Sequence, residues 1–317
     1  MLSIFEKYFQ KIFSSEKEYT IHMERLAQNI INQDFNINES FISQIFIDGN
    51  KNAHKTDKYK RILAIGDIHG NFSKLINVLK KAQLTSNDFL IFLGDYTDRG
   101  NENKKVMQFV LNLYDQPNIA FLLGNHDEML LEHFTKCAYK VLHKQITIND
   151  INNLSNSQFI DIFKEMLVYY NNYLPNGGQT TLQEINIFNS DDIKLFKHYL
   201  QVIYELPMIL PININNKEYI FVHAGIDPNK DLDKQNIYDL LWIRDEFYDN
   251  YMGDTTVVVG HTPTLAFNTS QPLPIFRHNN IIMCDTGAFI PNGKLTIVDI
   301  MTKQYWQSYS DIELGLY

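Results

Sequence analysis

The amino-acid sequence predicts an α/β protein: central β-strands, largely parallel, flanked by helices, with a helical insertion in mid-chain and a helical extension before the first strand. Two observations carry this. From Arg61 onward, short continuous apolar runs recur, and several stop at Gly followed by Asp, Asn or His. Between the early runs lie stretches whose apolar residues repeat at helical spacing. Runs of this length without polar alternation suit strands buried on both faces, and their alternation with helices implies βαβ units.

The elements follow in chain order. Residues 1–60 are rich in Asn, Ile and Lys and hold no site-like motif. Leu2, Phe5, Phe9, Ile12 and Phe13 fall near helical spacing, while Glu6, Lys7 and Lys11 interrupt any signal-peptide core. The segment is therefore expected to be an amphipathic helical extension packed on its own domain, with docking to a partner or a membrane surface as the alternative. A main domain is expected over 61–317. Its strands are expected at Ile62–Ile65, Phe89–Leu93, Ile119–Leu123, Tyr219–Val222, Thr256–Val259 and Ile281–Cys284. Phe72, Leu75, Ile76 and Leu79 share one helix face, and Val106, Phe109, Val110 and Leu113 share another. From about 128 to 206 the period is helical, through Phe159, Ile160, Phe163 and Leu167, then Ile193, Phe196, Leu200 and Ile203. Ser190, followed by two Asp, is the expected N-cap of the second of these helices.

Composition narrows the function. Of 317 residues, 44% are hydrophobic and 13% aromatic, which excludes a disordered or disulfide-built chain. The net charge is −9 with no basic stripe, so a nucleic-acid partner is not expected. No apolar run approaches the ~20 residues of a membrane span. Cys137 and Cys284 lie far apart outside any Cys-x-x-Cys spacing and read as free thiols of a reducing compartment, so a cytoplasmic location is expected.

In open α/β sheets, ligands bind beyond the carboxyl ends of the strands. Here those ends carry metal-type ligands: Gly66-Asp67-Ile68-His69-Gly70, Gly94-Asp95-Tyr96-Thr97-Asp98-Arg99-Gly100, Gly124-Asn125-His126-Asp127, His223-Ala224-Gly225 and Gly260-His261-Thr262-Pro263. Singly each is weak, since Asp-x-His in a loop is more often a cap than a ligand. Five in succession, each directly after an apolar run and flanked by Gly, point to one site. Imidazole and carboxylate together suit Mn, Fe or Zn.

The ordered set Asp-x-His-Gly, Gly-Asp-x-x-Asp-Arg-Gly, Gly-Asn-His-(Asp/Glu), His-Ala-Gly and Gly-His resembles the signature of PPP-type metallophosphatases, within the calcineurin-like metallophosphoesterases, in their bacterial and phage branch. The resemblance runs from about Ile62 to about Val298. Asn176-Gly-Gly-Gln-Thr-Thr-Leu182, Leu241-Trp-Ile-Arg244 and Asp285-Thr-Gly-Ala288 also resemble bacterial members.

By that resemblance the fold is a mixed β-sandwich flanked by helices. Asp67, His69 and Asp95 hold one divalent metal; Asp95 bridges to a second, held also by Asn125, His223 and His261. Mn is the metal expected first, with Fe or Zn also accepted by this set. A hydroxide shared by two cations ~3.5–4 Å apart attacks phosphorus in line. His126 protonates the leaving oxygen, Asp98 orients His126, Arg99 grips the phosphoryl group, and Arg244 is a second clamp. Trp242 is expected to pack rather than recognise. The activity implied is hydrolysis of phosphoproteins at phospho-Ser/Thr or phospho-Tyr. The alternative is a dinucleoside polyphosphate hydrolase, although relatives of that kind tend to lack the acid at the position of Asp98. A docking platform without catalysis is a third reading, against which the complete ligand set argues. Asp127 stands where protein phosphatases commonly carry Glu, and Thr97 where Val is frequent.

Overall fold

In the computed structural model, residues 59–314 are described, apart from 86, 117 and 268. The helical extension expected over 1–60 lies almost wholly outside the described residues.

Strand–helix alternation begins where the sequence places it. Strand β1 (Arg61–Ile65) leads into α1 (Phe72–Ala82), β2 (Asp88–Phe92) into α2 (Asn103–Leu113), and β3 (Ile119–Phe121) into α3 (Asn125–Leu142). The strand order β3-β2-β1 is parallel, with Leu63 opposite Leu90 and Leu90 opposite Ile119. A second parallel trio forms from β5 (Lys217–Val222), β6 (Thr256–Val259) and β8 (Ile281–Met283).

Each trio is flanked by antiparallel strands, so among the described residues there are two five-stranded mixed sheets. Strands β9 (Thr296–Asp299) and β10 (Tyr305–Gln307) complete the first sheet, in the order β10-β9-β1-β2-β3. Strands β4 (Ile209–Ile214) and β7 (Ile275–Phe276) border the second, in the order β4-β5-β6-β8-β7. The expectation of a largely parallel arrangement therefore holds within each trio and fails for the strands added beside them. The edge strands carry little signal. β4 includes Pro211, which an edge strand tolerates, and β7 has only two residues.

The continuous apolar runs are explained by burial on both faces. Ile62, Ala64, Phe89, Ile91, Leu93 and Leu122 point to the second sheet and pack on Phe221, Val258, Ile282 and Cys284. The alternate residues Leu63, Ile65, Leu90, Phe92 and Phe121 point outward under the helices. The middle layer thus excludes water entirely around Phe221, and truncating such a ring to Ala costs about 3–5 kcal/mol. Cys137 and Cys284 are buried and unpaired.

From Asn125 to Glu205 the regular elements are all helical. After α3 come α4 (Asn156–Val168), a one-turn π segment (Leu174–Gly178), α5 (Gln179–Gln183) and α6 (Ser190–Glu205). Two local expectations need correction. The buried face of α4 is Phe159, Ile162, Phe163 and Met166, while Leu167 is exposed, because the helix turns Met166 rather than Leu167 onto the core. The N-cap of α6 is Asn189, whose side chain accepts from the Asp191 amide, and Ser190 is already helical. Two short helices, α7 (Ile237–Leu241) and α8 (Asp245–Asn250), link β5 to β6. Among the described residues, no helix is long and apolar enough to cross a membrane.

Candidate dimetal site at the strand ends

Six parallel strands, three in each sheet, end at one buried cluster. Asp67 and His69 follow β1, Asp95 follows β2, Asn125 follows β3, His223 follows β5, and His261 follows β6. Asp285 follows β8, and its strand end belongs to the same set. The loops are zipped together: the amides of Ile68 and His69 both donate to the Asp95 carbonyl, at 3.0 and 2.9 Å. His69, Asp95 and His261 adopt left-handed backbone (φ 45°, 55° and 65°), strain that persists only where surrounding structure fixes it. Gly124 is required by closeness, since a Cβ there would lie 2.2 Å from Asp95 Oδ1.

The donor atoms converge as two overlapping groups. His69 Nε2 lies 3.5 Å from Asp95 Oδ2 and 4.0 Å from Asp67 Oδ2. On the other side, His223 Nε2 lies 2.8 Å from Asn125 Oδ1 and 3.5 Å from Asp95 Oδ1, and His261 Nδ1 lies 2.9 Å from Asn125 Oδ1. Asp95 thus presents one oxygen to each group. The outer contacts fix the inner ones. His69 Nδ1 donates to the Thr97 carbonyl and His223 Nδ1 to the Leu93 carbonyl, which turns each Nε2 lone pair inward, as metal-binding imidazoles require. The His261 amide donates to both oxygens of Asp67.

These residues fit a pair of divalent cations. The donors are carboxylate oxygens, imidazole nitrogens and one amide oxygen, all buried, a mixture suited to first-row transition metals. Burial, then repulsion from Asp285 and Asp95, pushes the Asp67 carboxyl well above its ordinary range. Burial likewise lifts Asp285 to about 7, and its Oδ2 has no hydrogen-bond partner. For Asp95, burial opposes ionisation, but His223, His126 and His69 outweigh it and hold the carboxyl below the usual carboxylate range. Burial pushes His69, His223 and His261 down, which favours the neutral imidazole that a metal needs. Crowded buried carboxylates beside neutral imidazoles are stabilised by cations.

The remaining motif residues lie beside this bed. His126 Nδ1 lies 2.8 Å from Asp98 Oδ2, and both side chains are buried. Arg99 spreads its fork, with Nη1 2.8 Å from His69 Nε2 and Nη2 2.8 Å from His126 Nε2. Arg244 is exposed and donates to Thr262, the neighbour of His261, at 2.6 Å; its charge also helps push His261 down. Trp242 packs edge-on to His261, with centroids 6.2 Å apart. Asp127 accepts from the amides of Asp95 and Gly124 at 3.0 Å each, so it caps α3 and ties that helix to the Asp95 loop.

Several residues at the site escape sequence reasoning. Phe289 stacks under the Arg99 guanidinium at 4.3 Å. The Arg99 amide donates to the Gly177 carbonyl, and Tyr173 and Thr181 donate to Asp98. The Asn-Gly-Gly-Gln-Thr-Thr and Asp-Thr-Gly-Ala segments were the available signals, but neither carries a spacing that names a partner.

A two-sheet sandwich whose parallel strand ends assemble this N/O donor set, with an arginine and an imidazole–carboxylate pair beside it, defines a metallophosphoesterase. The chain belongs to the calcineurin-like phosphoesterase family, whose sequence model matches residues 60–284. It is similar to the asymmetrical bis(5'-nucleosyl)-tetraphosphatase PrpE of Bacillus subtilis, with 25% identity over 252 residues, 72% of this chain and 86% of that one. It is also similar to serine/threonine-protein phosphatase 2 of Salmonella typhimurium, with 26% identity over 248 residues, 77% of this chain and 95% of that one. Among solved structures, a candidate diadenosine tetraphosphatase matches with a TM-score of 0.52 and 17% identity, covering 79% of this chain and 93% of that one, a likeness of fold.

Proposed function

We propose that the protein is a metal-dependent phosphomonoesterase that dephosphorylates phosphoproteins at Ser, Thr or Tyr. The observation that supports this most is the buried acid pair, His126 Nδ1 to Asp98 Oδ2 at 2.8 Å. A seryl or threonyl alkoxide is a strong base and leaves only with a proton, whereas a nucleotide leaves as a stable phosphate anion. An acid held by a dedicated carboxylate therefore favours an alcohol leaving group.

Asp67, His69 and Asp95 would hold one cation, and Asp95, Asn125, His223 and His261 the other, Mn being the expected metal. When bound, the pair supplies Lewis-acid charge and acidifies a water at neutral pH. Arg99 offers two N–H donors in one plane, the geometry for two phosphoryl oxygens. Phe289 below the guanidinium and the Gly177 carbonyl on its amide hold it in place. His126 hands the proton from Nε2 to the leaving oxygen, while Asp98 fixes the ring and balances the charge of its protonated form. Arg244 provides a second positive group at the rim.

The asymmetrical tetraphosphatase among the relatives supports a second reading, cleavage of a dinucleoside polyphosphate. Arg244 would then meet a further phosphate. The two readings separate in one assay: kcat/KM for matched phospho-Ser, phospho-Thr and phospho-Tyr peptides beside diadenosine tetraphosphate, after chelation and return of Mn²⁺. Phosphate release that returns with metal, and favours a peptide, is expected. Preference for the dinucleotide would overturn the phosphoprotein reading.

A further inference from the structure

We infer that Thr181 and Tyr173 are positioning residues for the acid pair: their hydroxyls saturate one oxygen of Asp98 and leave the other for His126. The inference rests on the phosphomonoesterase reading, because it matters only where the leaving oxygen needs a proton. Asp98 is fully buried. Its Oδ1 accepts from the Thr181 hydroxyl at 2.5 Å and the Tyr173 hydroxyl at 3.0 Å, while Oδ2 meets His126. The Asp98 amide donates to Thr181 Oγ1 at 2.9 Å and to Asn103 Oδ1 at 2.8 Å. Thr181 therefore grips one residue twice, donating to its side chain and accepting from its main chain.

The geometry gives this grip a purpose. A carboxylate with a free second oxygen can turn about its Cβ–Cγ bond, and the imidazole paired with it turns too. Two O–H donors on Oδ1 remove that freedom and aim His126 Nε2 at one place. Asp98 also sits at φ 75°, next to Arg99 at φ 67°, so the loop is strained and relaxes if its amide loses partners. Tyr173 is itself braced: its ring lies 5.0 Å from that of His133, whose Nε2 donates to the Met166 carbonyl at 2.8 Å. The support thus runs from the acid pair back into α3 and α4.

The test compares Thr181→Val, Thr181→Ser and Tyr173→Phe on two esters, phenyl phosphate and p-nitrophenyl phosphate, with Mn²⁺. Nitrophenolate leaves without help, and phenolate needs the acid. For Thr181→Val, kcat on phenyl phosphate is expected to fall about 10–100-fold, a share of the ~10²–10⁴ that a general acid supplies, with less than about 3-fold loss on p-nitrophenyl phosphate. Metal content and inhibition by inorganic phosphate stay unchanged, and Thr181→Ser restores the ratio. Tyr173→Phe, which keeps the ring packing, shows the same pattern more weakly and decides the matter if Thr181→Val does not fold. Equal losses on both esters, or no loss on either, would overturn the inference while the wild type remains a phosphomonoesterase. A wild type that hydrolyses neither ester would sink the phosphomonoesterase reading, and the inference with it.

Discussion

The candidate ligand bed and the His126–Asp98 pair lie side by side but are held by different parts of the chain. Asp67, Asp95 and Asn125 come from one sheet, His223 and His261 from the other, and each sits within four residues of a strand end. Asp98 and His126 also follow strands, yet Asp98 is fixed from the helical segment, by Thr181 and Tyr173, 83 and 75 residues away in sequence. Both regions store strain in left-handed backbone, at His69, Asp95 and His261 in the bed and at Asp98 and Arg99 beside it. In the bed, paired strands absorb the strain. Beside it, Thr181 holds Asp98 and the Gly177 carbonyl holds Arg99, so this region depends on contacts with the helical segment rather than on strand pairing.

Substitutions in each region separate the two roles. Asp95→Asn removes the charge shared by both donor groups, and we expect a loss above about 10³-fold on any substrate, with bound metal falling below two per chain. His126→Asn is expected to cost about 10²–10⁴-fold on a phosphoserine peptide while two metals stay bound. Metal analysis beside the kinetics checks both; a His126 variant that loses metal would make that residue part of the bed. The smallest effect is expected at Gly177, where φ is 108° and a Cβ would lie 2.6 Å from Arg99 Cγ. Gly177→Ala should lower stability by about 1–3 kcal/mol, read as a drop in Tm, with KM rising as Arg99 is displaced. An unchanged Tm and KM would show that the helical segment does not set the position of Arg99.

The same contrast explains what was legible in the sequence. Every candidate ligand of the bed lies within four residues of a buried strand end, in a segment that contains Gly, so the chemistry leaves a local signature from Asp67 to His261. The central strands were legible for a related reason, since burial on both faces writes uninterrupted apolar runs. The antiparallel strands were not: β4 contains Pro211, and β7, β9 and β10 run only two to four residues. Asp285 holds a place equal to that of the other strand ends, but an isolated Asp before Thr-Gly resembles a turn. Tyr173 and Thr181 meet Asp98 only through the tertiary fold, and Phe289 meets Arg99 the same way; a lone Tyr, Thr or Phe has no spacing that announces a partner.

The central claim is that the strand ends of two sheets form one site for two cations that work together. The direct measurement is back-titration of the chelated protein with Mn²⁺, following bound metal and release of phosphate from a phosphopeptide in the same samples. Activity should stay near zero after the first equivalent and rise with the second. Full turnover in the chelated protein, or with a single metal bound, would contradict it.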